Sequence, residues 1–308
     1  NDRFSKSHIK TLILDEFDKS LEVGFEYEMR GIIDQLPALN KRILTSATQG
    51  VKVPGFVRLD KPITINYLKE KVSLKLAIKT VVSPDKNKLN TLLKLVHHIG
   101  NEQGIIFCNL RDSIDVVSNF LKRNKVSHSC FSGGMEQKDR ERALITFRNG
   151  TSQVLLATDL AARGIDVPEL NYIIHYELPR HKEEFIHRNG RTARMHAKGT
   201  AFILKWQDQL LPDFIQNVKG INIDKKAIHK PQYWETLFIS GGRKDKISKG
   251  DIAGLFFKQG GINRDELGTI ELKQDCAFVA VPLAKAEDLV KKLNNSRLKK
   301  KKVRVTVL

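Results

Sequence analysis

Short, continuous apolar runs alternate with amphipathic segments along most of the chain. The apolar runs lie at 11–14, 42–45, 104–108, 153–157, 172–175 and 200–204. Helical spacing of apolar residues marks 89–99, 112–122 and 138–148. Strands separated by helices predict βαβ units and a parallel sheet. Runs that are apolar throughout, rather than at every second residue, are typical of strands covered on both faces.

Two charged stretches that contain proline, at 60–75 and 224–231, interrupt this pattern. After the second stretch, strand-like runs at 237–239, 269–272, 277–281 and 303–308 surround helical patterns at 249–259 and 284–294. That order is β-α-β-β-α-β, a ferredoxin-like α+β unit. We therefore predict three domains: a partial α/β domain at 1–68 with only two strands, a complete α/β domain at 69–228, and the α+β unit at 235–308.

Composition narrows the class of protein. The chain has 308 residues, 41% of them hydrophobic, and a formal net charge of +18. No stretch approaches the length of a membrane span, and neither the three cysteines nor the nine histidines show metal-site spacing. The charge favours a polyanionic partner, usually nucleic acid, although a generally basic, solvated surface is an equal alternative. We expect a monomer in a reducing cytoplasm, without a membrane partner.

Two adjacent carboxylates end the first predicted strand. Asp15 and Glu16 follow the run at 11–14, and Asp18 comes two residues later. Ligands bind at the carboxyl ends of strands in open parallel sheets, where an Asp can hold the Mg²⁺ of a nucleotide and the next Glu can activate water. The alternative is a strand-to-helix turn in which Asp15 caps a helix.

Further polar segments favour the nucleotide interpretation, and the first two of them directly follow predicted strands. They are Ser-Ala-Thr at 46–48, TDLAARGID at 158–166 and HRNGRTAR at 187–194. If the last segment is helical, His187, Arg191 and Arg194 form one stripe of cations. Such a stripe suits an anion such as a nucleotide phosphate, whereas a basic, solvated helix face is the alternative.

These motifs, in this order, resemble those of the DEAD-box RNA helicases. The resemblance covers about residues 8–215. The matching segments are DEFD at 15–18, SAT at 46–48, IIFCN at 105–109, Gln137 to Arg140, TDLAARGID at 158–166 and HRNGRTAR at 187–194. It implies an RNA-dependent ATPase built from two RecA-like domains, with ATP and Mg²⁺ as cofactors.

The resemblance also implies roles around the nucleotide. Asp15 binds the Mg²⁺ of ATP, and Glu16 is the base that acts on water. Arg191 and Arg194 act as arginine fingers, while Gly164 and Asp166 lie at the nucleotide. Asp18 pairs with His187 of the segment at 187–194, and Ser46 and Thr48 couple hydrolysis to domain closure.

On the RNA side, the resemblance places several residues along the phosphate path, which does not read sequence. They are Gln137, Arg140, Thr158, Arg163 and Gly164. ATP and RNA clamp the two domains together, the bound strand bends, a short duplex separates, and hydrolysis resets the clamp.

Two departures from the family pattern are clear in the sequence. Phe17 stands where the name motif usually has Ala, and we expect it to pack into the sheet. No GxxxxGK[ST] phosphate loop occurs in the sequence. We therefore expect this polypeptide to be a fragment of a helicase that neither binds ATP tightly nor hydrolyses it.

The segment at 235–308 resembles an RRM, and in detail the DbpA-type RNA-binding domain. Its strand at 274–281 keeps Phe278 but has Cys276 where a base-stacking aromatic is usual. Phe238 and Phe278 either stack on bases or pack in the core. The resemblance implies RNA contacts from the segment at 240–246 and the basic run near the C-terminus, against the alternative of a solvated tail. The contact residues are Arg243, Lys244, Lys246, Lys299, Lys300 and Lys301.

The leading hypothesis is an ATP-dependent RNA helicase that remodels structured ribosomal RNA in ribosome assembly. The alternative for this chain is an ATP-independent RNA-binding fragment. The residues of the motifs and the RRM-like segment make a DNA helicase the less favoured interpretation.

Overall fold

In a computed structural model, the residues whose structure is described are 5–17, 25–46, 53–67, 75–162, 167, 170–192, 198–223 and 233–308. The chain divides into two compact units, Asn1–Ser73 and Leu74–Leu308. Across these described ranges, no helix is both long enough and apolar enough to cross a membrane.

The first unit contains a two-stranded parallel sheet. Strands β1 (Thr11–Leu14) and β2 (Lys41–Leu44) pair in register, and helix α1 (Glu26–Asp34) lies between them in sequence. Leu14, Ile33 and Val57 form the small core. Phe17 packs against this core, which confirms the expectation made for it.

The second unit begins with a parallel sheet of seven strands in the order β5-β6-β4-β7-β8-β3-β9. All the pairings between these strands are parallel. The strands are β3 (Lys75–Ser83), β4 (Gly104–Phe107), β5 (His128–Phe131), β6 (Val154–Ala157), β7 (Tyr172–His175), β8 (Lys198–Trp206) and β9 (Lys219–Gly220). This confirms the predicted RecA-like parallel sheet.

Both faces of this sheet are covered, as the continuous apolar runs predict. Ile106, Leu156 and Ile174 belong to the core on one face, and the preceding residue of each strand belongs to the core on the other. The helices are α2 (Leu89–Ile99), α3 (Arg111–Arg123), α4 (Gln137–Arg148), α5 (Asp159–Ala162) and α6 (Lys182–Asn189). The sequence pattern did not identify β3, β5, α1 or the start of α6.

The C-terminal domain is an antiparallel sheet with two helices on one face. The strands β10 (Trp234–Ile239), β11 (Ile270–Leu272), β12 (Ala277–Pro282) and β15 (Val305–Val307) lie in the order β11-β12-β10-β15. Helix α7 (Lys249–Leu255) continues into a π-helical turn (Phe256–Gly260), and α8 (Leu283–Leu293) follows β12. The short strands β13 (Arg297–Leu298) and β14 (Lys301–Lys302) form a separate pair. The β-α-β-β-α-β prediction is confirmed.

Candidate nucleotide and RNA sites

Asp15 lies at the carboxyl end of β1, next to the residue that follows β2. Its Oδ1 accepts hydrogen bonds from the backbone N–H of Glu16, at 3.0 Å, and from the Thr45 hydroxyl. The backbone also joins the two segments, because Phe17 N donates to Thr45 O at 3.0 Å. The structure therefore brings the start of the DEFD segment beside Thr45, the residue that precedes the SAT segment, at one edge of the sheet. The contribution of Thr45, just before the SAT motif, was not predicted.

Polar residues follow three neighbouring strands of the large sheet at their carboxyl ends. Asn109 follows β4, Asp159 follows β6, and Glu177 follows β7. Glu177 Oε2 accepts from Asn109 N at 2.6 Å, and its Oε1 accepts from Ser113 Oγ at 2.8 Å. This edge of the sheet is thus cross-linked by side chains.

Arg188, on α6, joins all three of these residues. Its Nε and Nη2 donate to the two carboxylate oxygens of Asp159 at 2.7 and 2.6 Å. Nη1 donates to Glu177 O at 2.8 Å, and Nη2 also reaches Asn109 Oδ1 at 2.7 Å. The side chain is 1% exposed. Arg188, in the segment at 187–194, therefore joins Asn109 of the segment at 105–109 to Asp159 of the segment at 158–166.

His187 and Arg191 lie at a shallow cleft beside this network, with Asp159, Glu184 and Arg188. These two residues do not share a helical stripe, so for His187 and Arg191 the interpretation as one stripe was wrong. Helix α6 ends at Asn189, and Arg191 N donates to Arg188 O at 3.1 Å in a tight turn. The turn, rather than helical spacing, keeps Arg191 near His187.

Burial shifts the pKa of several groups around this edge towards the neutral form of each group. Burial, and then the charge of Arg188, lowers the pKa of His175 to about 3. Burial, and then the charge of Glu177, raises the pKa of the Cys108 thiol to about 12. Burial lowers the pKa of Lys88 to about 8, although its ammonium group donates to Tyr176 O and Leu204 O. Cys108 is therefore protonated at neutral pH and is not a nucleophile.

Helix α4 carries two of the predicted RNA contacts at its N-terminal end. Gln137 is exposed, and Arg140 is half-buried with its guanidinium 4.9 Å from the centre of the Phe131 ring. Thr158 follows β6, and its carbonyl accepts from Ala162 N at 2.9 Å. Helix α4 and the carboxyl end of β6, which belong to the same domain, thus position these three residues.

The segment 240–246 forms a basic loop pressed against the β11–β12 turn. Arg243 N donates to Lys273 O at 2.9 Å, and Lys244 N donates to Gln274 O at 2.8 Å. A Cβ atom at Gly242 would lie 2.5 Å from Gln274 O, so only glycine permits this approach. The side chains of Arg243, Lys244 and Lys246 remain exposed.

The lysines of the C-terminal basic run differ in their contacts with acidic residues. Lys299 Nζ lies 3.1 Å from Asp251 Oδ2, and Lys301 Nζ lies 2.7 Å from Asp245 Oδ2. These contacts brace the basic loop and the start of α7. Lys300, between them, is exposed.

Phe278 is 6% exposed, and its ring lies 5.7 Å from that of Phe238 in an edge-to-face arrangement. Stacking on a base needs an exposed ring face. In this structure Phe278 therefore packs and offers no platform, which agrees with the packing alternative.

The remaining predicted site residues lie outside the described residues. They are Asp18, Thr48, Arg163, Gly164, Asp166 and Arg194.

The sequence pattern missed Asn109, Asp159, Glu177 and Arg188. A usable signal was present, since the first three each follow a strand of the sheet within two residues. A buried arginine requires carboxylate or carbonyl partners, and polar residues at strand ends are the ones placed to supply them.

The donor set fits a magnesium nucleotide better than a metal held by protein alone. Among the described residues, no group of three or more His, Cys, Asp or Glu side chains could hold a metal. Mg²⁺ is commonly held by one or two carboxylates together with phosphate oxygens and water. Asp15 could supply one such carboxylate.

Family models match two parts of the chain. Residues 87–196 match the helicase conserved C-terminal domain, and residues 236–307 match the DbpA RNA binding domain.

Whole-chain relatives agree with these matches. The ATP-dependent RNA helicase DbpA of Escherichia coli (strain K12) is 30% identical over 313 residues, which cover 97% of this chain and 68% of the relative. The DbpA of Bacillus subtilis (strain 168) is 27% identical over 329 residues, with 96% and 68% covered. A structure of Saccharomyces cerevisiae Dbp5 bound to RNA and ADP BeF3 has the same fold, with a TM-score of 0.58 and 22% identity over 71% of this chain and 61% of that one.

A RecA-like helicase domain, with its motifs joined at one edge of a parallel sheet, is thus followed by an antiparallel RNA-binding domain. The chain belongs to the DEAD-box family of ATP-dependent RNA helicases, in the group that carries a DbpA RNA-binding domain.

Proposed function

We propose that the chain acts in the ATP-dependent remodelling of structured RNA, and that its substrate is ribosomal RNA during ribosome assembly. The observation that carries the proposal is the basic loop at 240–246, which projects Arg243, Lys244 and Lys246 from a DbpA RNA-binding domain. A structured RNA supplies closely spaced phosphates, which exposed guanidinium and ammonium groups bind. The cytoplasm as its location and a monomeric state belong to the same proposal.

At the nucleotide, each described residue has a chemical task. ATP, when bound, would supply a phosphoryl group for transfer to water. Asp15 would hold Mg²⁺ through a carboxylate oxygen, and Glu16 would accept a proton from the attacking water. Arg191 would donate hydrogen bonds to the phosphate oxygens, on which negative charge develops. Ser46 and His187 transmit the nucleotide state to the rest of the protein.

The arginine network supports this assignment. Arg188 has its donors directed to Asp159, Glu177 and Asn109, so it fixes the start of the turn that carries Arg191. Preorganised donors lower the reorganisation needed during the reaction. We assign Arg188 the role of a positioning residue.

For the RNA strand, we assign contacts to Gln137, Arg140 and Thr158. The cation of Arg140 is braced on the Phe131 ring, which limits its rotamers. Contacts to phosphate and sugar position a strand without reading its sequence.

The alternative function is ATP-independent RNA binding by this chain. It is favoured by one observation, the lack of a GxxxxGK[ST] sequence among the 308 residues. Such a loop cradles the nucleotide phosphates in the related enzymes.

One experiment separates the two functions. ATP turnover by the 308-residue chain is measured with and without a structured ribosomal RNA, beside Glu16→Gln, while RNA binding is followed by fluorescence anisotropy. RNA-stimulated turnover that is lost in Glu16→Gln supports the helicase function in this chain. RNA binding without turnover supports the alternative. A DNA hairpin of the same sequence that binds equally well would contradict both.

A further inference from the structure

The two faces of the C-terminal sheet carry different residues. Leu237, Ile239 and Val279 face the helices α7 and α8 in the domain core. Because side chains alternate along strands, their neighbours point to the opposite face. That face carries Trp234, Thr236, Phe238, Glu271, Phe278 and Ala280.

This second face is covered, although the domain has no helix of its own there among its described residues. Thr236 is 0% exposed and Ala280 is 1% exposed. Thr236 Oγ1 lies 2.7 Å from Thr151 Oγ1 and accepts from Asn149 Nδ2 at 3.2 Å. Thr151 and Asn149 belong to the turn between α4 and β6, so the helicase domain covers the face.

Ion pairs flank the hydrogen bonds that Thr236 makes with Thr151 and Asn149. Arg148, the last residue of α4, forms an ion pair with Glu271, in which Nη2 donates to Oε2 at 3.0 Å and Nε lies 2.8 Å from Oε1. Lys273 Nζ lies 2.6 Å from Glu141 Oε1. The two pairs lie on one helix, about two turns apart.

A glycine in the turn between α4 and β6 allows this turn to pack closely on the sheet face. Gly150 has a φ of +79°, and a Cβ atom there would lie 3.1 Å from the Trp234 ring. A left-handed glycine thus lets the α4–β6 turn approach the indole ring closely.

These contacts connect two predicted RNA sites. Arg140 and Glu141 are consecutive on α4, Glu141 pairs with Lys273, and Lys273 O accepts from the N–H of Arg243 in the basic loop. We propose that the sheet face of the C-terminal domain is a docking surface for the α4–β6 corner rather than a base-stacking platform. The basic loop and the N-terminal end of α4 then form one composite RNA-binding surface.

The inference rests on the proposed RNA binding and adds a geometric requirement to it. RNA must reach the composite surface while the sheet face stays covered. A hairpin RNA with a single-stranded uridine extension can occupy the loop and the end of α4 together. Such linkage raises affinity through effective concentration, without new contacts.

A disulfide lock tests the docking. Thr151 and Thr236 are replaced in the double variant Thr151→Cys/Thr236→Cys, and the bond is identified by peptide mass after mild oxidation. The locked chain should bind the tailed hairpin within about twofold of the reduced chain. Failure to cross-link would show that the face is not docked on the corner, and a loss of affinity of about tenfold or more on locking would show that the face must open. Either result would overturn the proposal.

A charge reversal tests the composite surface. Glu271→Arg should leave the binding of the hairpin alone and of the uridine strand alone unchanged, and should remove the advantage of linking them, about tenfold or more. The swap Arg148→Glu/Glu271→Arg should restore that advantage. Glu287→Arg makes the same charge change at an exposed position of α8 and should have no such effect.

The outcomes separate the proposal from the function on which it rests. A chain that binds neither RNA piece refutes RNA binding itself and the composite surface with it. A chain that binds both pieces but gains nothing from their linkage refutes only the composite surface.

Discussion

The guanidinium group of Arg188 faces the carboxylate of Asp159 in a two-pronged ion pair, with 2.7 and 2.6 Å between donor and acceptor atoms. The pair joins the helicase motif at 187–194 to the motif at 158–166. The arginine is 1% exposed and the aspartate 20% exposed, so water screens the pair little. The fold and the cleft that holds Arg191 therefore depend on the same contact.

Arg188→Met should lower the free energy of unfolding by about 3–5 kcal/mol, because it leaves Asp159 without its buried partner. The free energy of unfolding of Arg188→Lys should lie between that of Arg188→Met and that of the parent, because an ammonium group cannot form the planar, two-pronged contact of a guanidinium group. Urea unfolding followed by circular dichroism measures both. Arg142→Met removes an arginine that is 47% exposed and 4.0 Å from Asp139, and should change stability by less than about 1 kcal/mol. Equal effects at positions 142 and 188 would contradict this argument.

Gly242→Ala should lower stability by about 1–3 kcal/mol and displace the basic loop, because the added methyl meets backbone atoms of the β11–β12 turn that cannot move aside. The affinity for a hairpin RNA should fall with it. Gly254→Ala is the matched control, since a Cβ at Gly254 meets no atom within 4 Å. Gly254 lies inside α7, where alanine should stabilise the helix by up to about 1 kcal/mol. Thermal unfolding measures the stability of the two variants, and anisotropy titrations measure their affinity for the hairpin RNA.

The continuous apolar runs predicted the strands well because burial on both faces leaves few alternatives for such segments. β1 and β7 have the predicted bounds, and α2 does as well. β5 was missed since it reads His-Ser-Cys-Phe and lies at an edge of the sheet, where half-covered positions tolerate polar residues. β3 was missed because Lys75 and Lys79 interrupt its apolar pattern.

Family motifs named the residues at the nucleotide and along the RNA, but not the contacts that hold them. Arg188 was passed over because the motif drew attention to Arg191 and Arg194. The covered sheet face could not be predicted at all. Thr236 reads as an ordinary strand residue, and only the tertiary structure shows that Thr151 lies opposite it.

Arg243→Gln and Lys244→Gln should each weaken hairpin binding and reduce the slope of log K against log salt concentration by about 1, because each removes one phosphate contact and its released counterion. Anisotropy titrations over a salt series give the slope. Lys258→Gln, at an exposed position of the π-helical turn, makes the same charge change and should leave the slope unaltered. Slopes that fall equally in all three variants would indicate only the general positive charge of the protein.

Acidification below pH 6.5 should destabilise the protein partly through His175, whose pKa burial lowers from 6.5 to about 3. Between these values the unfolded chain binds a proton that the folded chain does not, so the free energy of unfolding falls as the pH falls. The folded site resists the proton because Arg188 is close and no described residue accepts a hydrogen bond from Nδ1, while Nε2–H donates to Asn189 Oδ1 at 3.1 Å.

The variant His175→Gln should be less stable than the parent at pH 7. Its free energy of unfolding should fall by about 2 kcal/mol less than that of the parent between pH 7 and pH 5. Urea unfolding at both pH values measures the difference. A parent-like loss in His175→Gln would assign the acid sensitivity to other groups.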